Sequence, residues 1–206
     1  MTRTLALLAG LALLAACGGA ETEIPAAPAA APALTAEAAL DAAIAGTHRP
    51  DEERARDRWR NPKETLLFFG AEPSMTVVEI WPGGGWYANI IAPFVARGGG
   101  VYYAAGLDPS SSPRAAEVVA AFEAKYKGDP ALYGTVRLTA LSDPEIAPAA
   151  SADLVVTFRN VHNWMNNGTA EANFAKFQAA LKPGGVLGVV EHRAPEDAAA
   201  DFEGRS

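Results

Sequence analysis

Two kinds of apolar pattern alternate along most of the chain. Continuous apolar runs over residues 75–81, 101–105, 136–141, 153–158 and 186–191 predict strands. Runs without polar alternation belong to strands covered on both faces. Between them, apolar residues recur at helical spacing and predict helices over 34–45, 62–69, 86–95, 112–127 and 169–181. Thr35 stands as N-cap of the first, with Glu37 in its first turn; Pro62 opens the second and Gly70 ends it. Thr169 stands as cap of the last, which Lys182-Pro183-Gly184-Gly185 stops. Residues 48–60 are charged at nearly every position, with Arg54, Arg56, Arg58 and Arg60 set against Asp51, Glu52, Glu53 and Asp57. That segment reads either as a solvated helix or as a helix that caps a site. The alternation as a whole predicts an α/β fold, a doubly wound and mostly parallel sheet of about five strands. Ligands in such sheets bind beyond the carboxyl ends of the strands, near the switch point, so chemistry is sought in the loops that follow the strands.

The first residues break this pattern. Met-Thr-Arg leads into an apolar run over 5–16, which is too short to span a bilayer and ends at Cys17. Leu14-Ala15-Ala16-Cys17 resembles a bacterial lipobox, which implies cleavage before Cys17 and a lipid on its thiol. An ordinary secretory signal with an incidental cysteine is the alternative. Residues 17–36 are rich in Ala and Pro, with Pro25, Pro28 and Pro32 favouring an extended tether. The expected organisation is a signal over 1–16, a tether over 17–36 and a domain over 37–206, carried by an exported lipoprotein anchored to a membrane in the periplasm.

Charge and composition narrow the function classes. Seventeen basic and 24 acidic side chains give a net charge of 17 − 24 = −7, which argues against a protein built to grip nucleic acid. A single cysteine excludes an internal disulfide framework and a cysteine-rich zinc site.

Val77-Val78-Glu79-Ile80-Trp81-Pro82-Gly83-Gly84-Gly85 joins a strand, an acid and a glycine-rich loop ahead of a helix. This resembles motif I of the class I S-adenosylmethionine-dependent methyltransferases. Ala152-Asp153-Leu154-Val155-Val156 is similar to their fourth strand, and Lys182-Pro183-Gly184-Gly185 to the segment before their fifth. The likeness runs over about residues 62–195 and extends to a group of exported bacterial proteins described as predicted methyltransferases. It implies S-adenosyl-L-methionine as cofactor, with Glu79, Gly83, Gly84 and Gly85 around its methionine part. Asp108 would then reach the ribose and Asp143 the adenine. Each has a plainer reading as a turn residue, Asp108-Pro109-Ser110 and Asp143-Pro144.

Three departures stand against the resemblance. The family has a glycine where Trp81 stands, and its acid at the end of strand 2 falls near Ala105, three residues before Asp108. The family's sheet continues with two more strands, whereas 206 − 191 = 15 residues follow Glu191. A chain shortened at its C-terminus is therefore expected, with the last strands missing.

Polar residues cluster where strand 4 ends, in Arg159-Asn160-Val161-His162-Asn163-Trp164. Asn160 is a candidate to bond cofactor or substrate, and His162 a candidate general base. His162 reads equally as a loop-holding hydrogen-bond partner, and Trp164 as a π face for a cation or as core. Glu191-His192-Arg193 ends strand 5, and its local spacing gives no support for a metal. The expected activity is methyl transfer to a small-molecule acceptor that the sequence does not identify. The alternatives are a non-catalytic ligand-binding lipoprotein on the same fold and, from Gly83-Gly84-Gly85-Trp86-Tyr87-Ala88 with Asp108 beyond, a dinucleotide-binding protein.

Overall fold

The computed structural model describes residues 34–198. Five strands form one parallel sheet: β1 (Thr76–Ile80), β2 (Val101–Gly106), β3 (Thr135–Ala140), β4 (Ala152–Phe158) and β5 (Leu181–Val190), in the order β3-β2-β1-β4-β5. The helices are α1 (Ala36–Ile44), α2 (Asp51–Arg54), α3 (Asp57–Arg60), α4 (Pro62–Phe68), α5 (Ala88–Ala96), α6 (Pro113–Gly128), α7 (Pro130–Tyr133), α8 (Val161–Asn166) and α9 (Ala170–Ala180). The chain winds from β1 outward to β3, then crosses back to start β4 on the other side of β1. The switch point therefore lies between β1 and β4. No helix among the described residues is long and apolar enough to cross a membrane.

The apolar runs of the central strands β1 and β4 are explained by burial on both faces. Val77, Leu154 and Val156 point to one side, where α1 and α5 contribute Leu40, Ile90 and Phe94. Val78, Ile80 and Val155 point to the other, against Trp164 and Phe177 of α8 and α9. Adjacent strand residues thus serve opposite cores, as the two-residue period requires.

Several expectations need correction. Residues 48–60 form two short helices rather than one, and they are only partly solvated. Arg49 is fully buried and pairs in two places with Asp57, at 2.9 and 2.6 Å. Glu53 accepts the buried Asn89 amide at 2.9 and 2.8 Å, and its backbone carbonyl accepts Trp86 Nε1 at 2.9 Å. The segment is docked on α5 and reaches the cleft described below. Helices α7 and α8 lie where only loops were expected. Thr169 does stand at the N-cap of α9, but it makes no capping bond; its hydroxyl donates to Asn167 Oδ1 at 2.6 Å. Lys182–Gly185 sits inside β5 as an irregularity: Ala152 pairs with Leu181, whereas Leu154 already pairs with Val186. Helix α1 begins at Ala36, with Thr35 Oγ1 accepting Ala38 N at 3.2 Å. The proposed signal, Cys17 and most of the tether lie outside the described residues.

Candidate functional site

A cleft opens at the carboxyl edge of the sheet, over the switch point. Trp81, Pro82, Gly83 and Asn160 form a ridge that divides it into two lobes. The first lobe, about 570 Å³, lies over β1, β2 and β3. Its walls are apolar, with Leu107, Val119, Phe122 and Leu138, and it holds two carboxylates, Asp108 and Asp143. The second lobe, about 580 Å³, lies between β1, β4 and the charged α2–α3 segment. It is polar and contains Arg56, Arg60, Glu79, Arg159, His162 and His192.

The loop after β1 shapes the ridge. Trp81 is held at φ 49, in the left-handed region that favours glycine. The indole packs edge-on against Trp164 at 5.8 Å between ring centres. Side-chain atoms added at Gly83 or Gly84 would meet nothing within 4 Å, so this stretch of backbone lies open to a ligand. Gly85 is required by the fold itself: φ is 86, and a Cβ there would collide with the Tyr126 hydroxyl. That hydroxyl donates to Asn89 Oδ1 at 2.8 Å.

Glu79 is 2 % exposed and faces the polar lobe rather than the apolar one. Burial pushes its carboxyl up to about 7, against the opposing pull of the Tyr102 hydroxyl and Arg60. Tyr102 donates to Glu79 Oε2 at 2.6 Å and is itself held well above its ordinary value, by burial first and by Glu79 second.

Asp108 and Asp143 are turn residues and lobe residues at once. Asp108 Oδ1 accepts Ser110 N at 2.8 Å and Ser110 Oγ at 2.6 Å, and these two bonds lower its pKa. Asp143 Oδ2 accepts Ala140 N at 2.8 Å, closing the turn after β3. The two readings held open for each residue are therefore not exclusive.

Asn160 lines both lobes. Its Nδ2 donates to Ile80 O and to Thr157 Oγ1, each at 3.1 Å, so the amide nitrogen staples β1 to β4. Its first role is structural, and Oδ1 is the atom left for a ligand. Trp164 is fully buried among Trp81, Phe174 and Phe177; it is core and offers no π face to the cleft.

His162 belongs to the polar lobe. Its Nδ1 lies 3.0 Å from Glu191 Oε1. Burial opposes the Glu191 charge, but hydrogen bonds from His192 N and from His162 outweigh it and hold the carboxyl below its ordinary value. An ionised Glu191 only accepts, so Nδ1 carries the proton and Nε2 is left as the basic atom. His162, Glu191 and His192 offer ligand atoms within 4.8 Å of one another, the two neighbouring strand ends bringing together residues whose local spacing alone gave no support for a metal. Both Glu191 oxygens are already engaged, Oε2 by Val161 N at 2.8 Å and Oε1 by His192 N at 2.9 Å besides the imidazole. The arrangement fits a carboxylate that orients a base.

Sequence reasoning offered 48–60 as a segment that caps a site and put Arg159 in the polar cluster after strand 4, but it gave Arg56, Arg60 and Arg159 no role and missed Asn89 as the hub linking Glu53 to Tyr126. A lone amide in the otherwise apolar run 88–95 was the available signal for Asn89.

No family model and no curated protein matches this sequence. Solved structures do. A SAM-dependent methyltransferase from Aquifex aeolicus is similar over 77 % of this chain and 81 % of its own, with a TM-score of 0.54 and 17 % identity. An arsenic(III) S-adenosylmethionine methyltransferase from Chlamydomonas reinhardtii is similar over 72 % of this chain and 47 % of its own, with a TM-score of 0.43 and 22 % identity. The glycopeptide N-methyltransferase MtfA, complexed with sinefungin, is similar over 62 % of this chain and 50 % of its own, with a TM-score of 0.42 and 23 % identity. This chain thus spans about half the length of the last two. At these identities the likeness is one of fold, and the Aquifex protein carries it. The chain has the Rossmann-like fold of that methyltransferase, a five-stranded parallel sheet flanked by helices.

Proposed function

We propose that the cleft binds S-adenosyl-L-methionine and serves methyl transfer to a small-molecule acceptor in the polar lobe. The observation that carries this reading is the apolar lobe, which has a carboxylate after β2 and another after β3, beside a glycine loop whose Gly83 and Gly84 leave room for a ligand. Asp108 and Asp143 are suited to the hydroxyls and the amino group of a nucleoside. Gly83, Gly84 and Asn160 Oδ1 flank the crossing between the lobes, and Glu79 closes the floor beyond it.

The bound cofactor supplies a methyl carbon on a positively charged sulfur, which leaves as a neutral thioether. The chain's own residues do the rest. The ridge fixes the approach of the two reactants, a positioning effect of the kind that supplies much of enzymatic rate. His162 Nε2 takes the proton that the acceptor's nucleophile gives up, and Glu191 holds the ring and stabilises its charged form. The Leu14–Cys17 segment supports membrane tethering in the periplasm through a lipid, which mass spectrometry of Cys17 checks.

Calorimetric titration of the protein with S-adenosylmethionine and S-adenosylhomocysteine tests the proposal. Micromolar binding, weakened roughly tenfold in Asp108→Ala and in Asp143→Ala, is the expected result. A folded protein that binds neither compound would move the reading to a non-catalytic binding protein.

A further inference from the structure

Three guanidiniums face the polar lobe, those of Arg56, Arg60 and Arg159. None of them pairs with an acid among the described residues. The carboxylates of the lobe are occupied elsewhere, Glu53 by the Asn89 amide and Glu79 by the Tyr102 hydroxyl. Arg60 is held below its ordinary value by burial first, and then by the positive charges of Arg56 and Arg159. Its guanidinium lies over the Trp86 ring, 4.6 Å from the centre, and not against an acid.

Arg159 adds a second, independent sign. It directly follows β4 at φ 60, a backbone conformation that disfavours any residue with a Cβ. An exposed arginine kept in that conformation, beside two like charges, is locally unfavourable twice over. With Glu79 ionised the lobe still carries an excess of positive charge, and with Glu79 protonated the excess is larger. S-adenosylmethionine does not correct this: its carboxylate is outweighed by an ammonium and a sulfonium. The same excess disfavours a divalent cation at the neighbouring His162–Glu191–His192 cluster. A cleft lined by one sign of charge concentrates the opposite sign, and guanidiniums hold planar oxyanions by paired hydrogen bonds.

We propose that the polar lobe recognises an acceptor bearing a carboxylate or phosphate group, which Arg159 and Arg56 hold while its nucleophilic atom faces His162. The word acceptor rests on the methyl-transfer reading; the anion site does not.

The test is calorimetry on the protein with and without saturating S-adenosylhomocysteine. Benzoate and inorganic phosphate serve as separate anionic probes, and benzyl alcohol as the neutral control. Saturable binding of at least one anion in the millimolar range is expected, roughly tenfold weaker in Arg56→Gln and in Arg159→Gly. Benzoate alone would assign a carboxylate, and phosphate alone a phosphate ester. Arg159→Gly relaxes the backbone as it removes the charge, so it should melt no lower than the parent, which separates lost binding from lost folding. Benzyl alcohol binding as tightly as benzoate, anion affinity unchanged in Arg159→Gly, or no saturable anion binding would each overturn the proposal. Anion binding without S-adenosylhomocysteine binding would keep the anion site and remove the methyl-transfer reading. The reverse result would do the opposite.

Discussion

Trp81 and Arg159 leave the sheet as a matched pair. Each follows the end of one of the two adjacent strands that flank the switch point, and each has a left-handed backbone, at φ 49 and 60. Each also donates its N–H to the neighbouring strand on its outer side, Trp81 to Ala105 O at 2.9 Å and Arg159 to Val190 O at 2.7 Å. The two chains are thereby peeled apart, and the cleft opens between them. In Trp81→Gly the relief of backbone strain, about 1 kcal/mol, is set against the loss of a half-buried indole, about 1.5–3 kcal/mol. Denaturant melts should show a net loss of about 0.5–2 kcal/mol.

Glu79 predicts a pH dependence. Its carboxyl titrates near 4.5 when unfolded and at about 7 when folded, so the native state binds the proton more tightly. Its contribution is complete below pH 4.5 and is lost as pH rises toward 7. The difference amounts to roughly 3 kcal/mol. Thermal melts from pH 4 to 8 should show this slope in the parent and a flatter one in Glu79→Gln.

Gly85 and Tyr126 should be coupled. Gly85→Ala meets both the positive φ and the Tyr126 hydroxyl, and a loss of about 2–3 kcal/mol is expected. Tyr126→Phe removes the obstructing oxygen but leaves Asn89 Oδ1 without its donor, at about 1–2 kcal/mol. The double variant should be more stable than the sum of the two losses, as a double-mutant cycle by urea melts would measure.

Arg49 is fully buried, and its strongest partner is Asp57. Asp57→Ala leaves the guanidinium without its counter-charge and should cost about 3 kcal/mol in chemical denaturation. Arg49→Met combined with Asp57→Ala should cost less than Asp57→Ala alone, because no charge is then left stranded.

Strand positions were legible because their signal is local: each strand is a short run rich in apolar residues, and the five runs became the five strands, with β1 and β4 buried on both faces. The motif around Glu79 was legible in the same way, since strand, loop and helix follow one another directly. Asp108 and Asp143 share one lobe because both follow strand ends. What failed depended on distant partners. Nothing near Arg49 in the sequence announces that it will be buried, since one of its neighbours in the fold is the Trp86 ring, 5.2 Å from the guanidinium and far along the chain. Helix α8 was hidden because its only buried residue is Trp164, too sparse a pattern for a period. The bond from Tyr102 to Glu79 was not foreseen, because Tyr102 comes from a neighbouring strand and the pair depends on the sheet's lateral order.

Strand β5 is the outermost strand on its side of the sheet among the described residues, with Val186 and Val189 each at least 40 % exposed. Among the described residues its outer backbone groups have no strand beside them, and Glu191, which contacts His162, follows its last residue. The orienting carboxylate therefore hangs from a part of the molecule that opens by fraying, before the body of the sheet does. Amide exchange at 186–191 should outpace that in β1, and every opening would leave His162 free to swing. On the proposed reading, methyl transfer would then fade on warming while the domain as a whole was still folded.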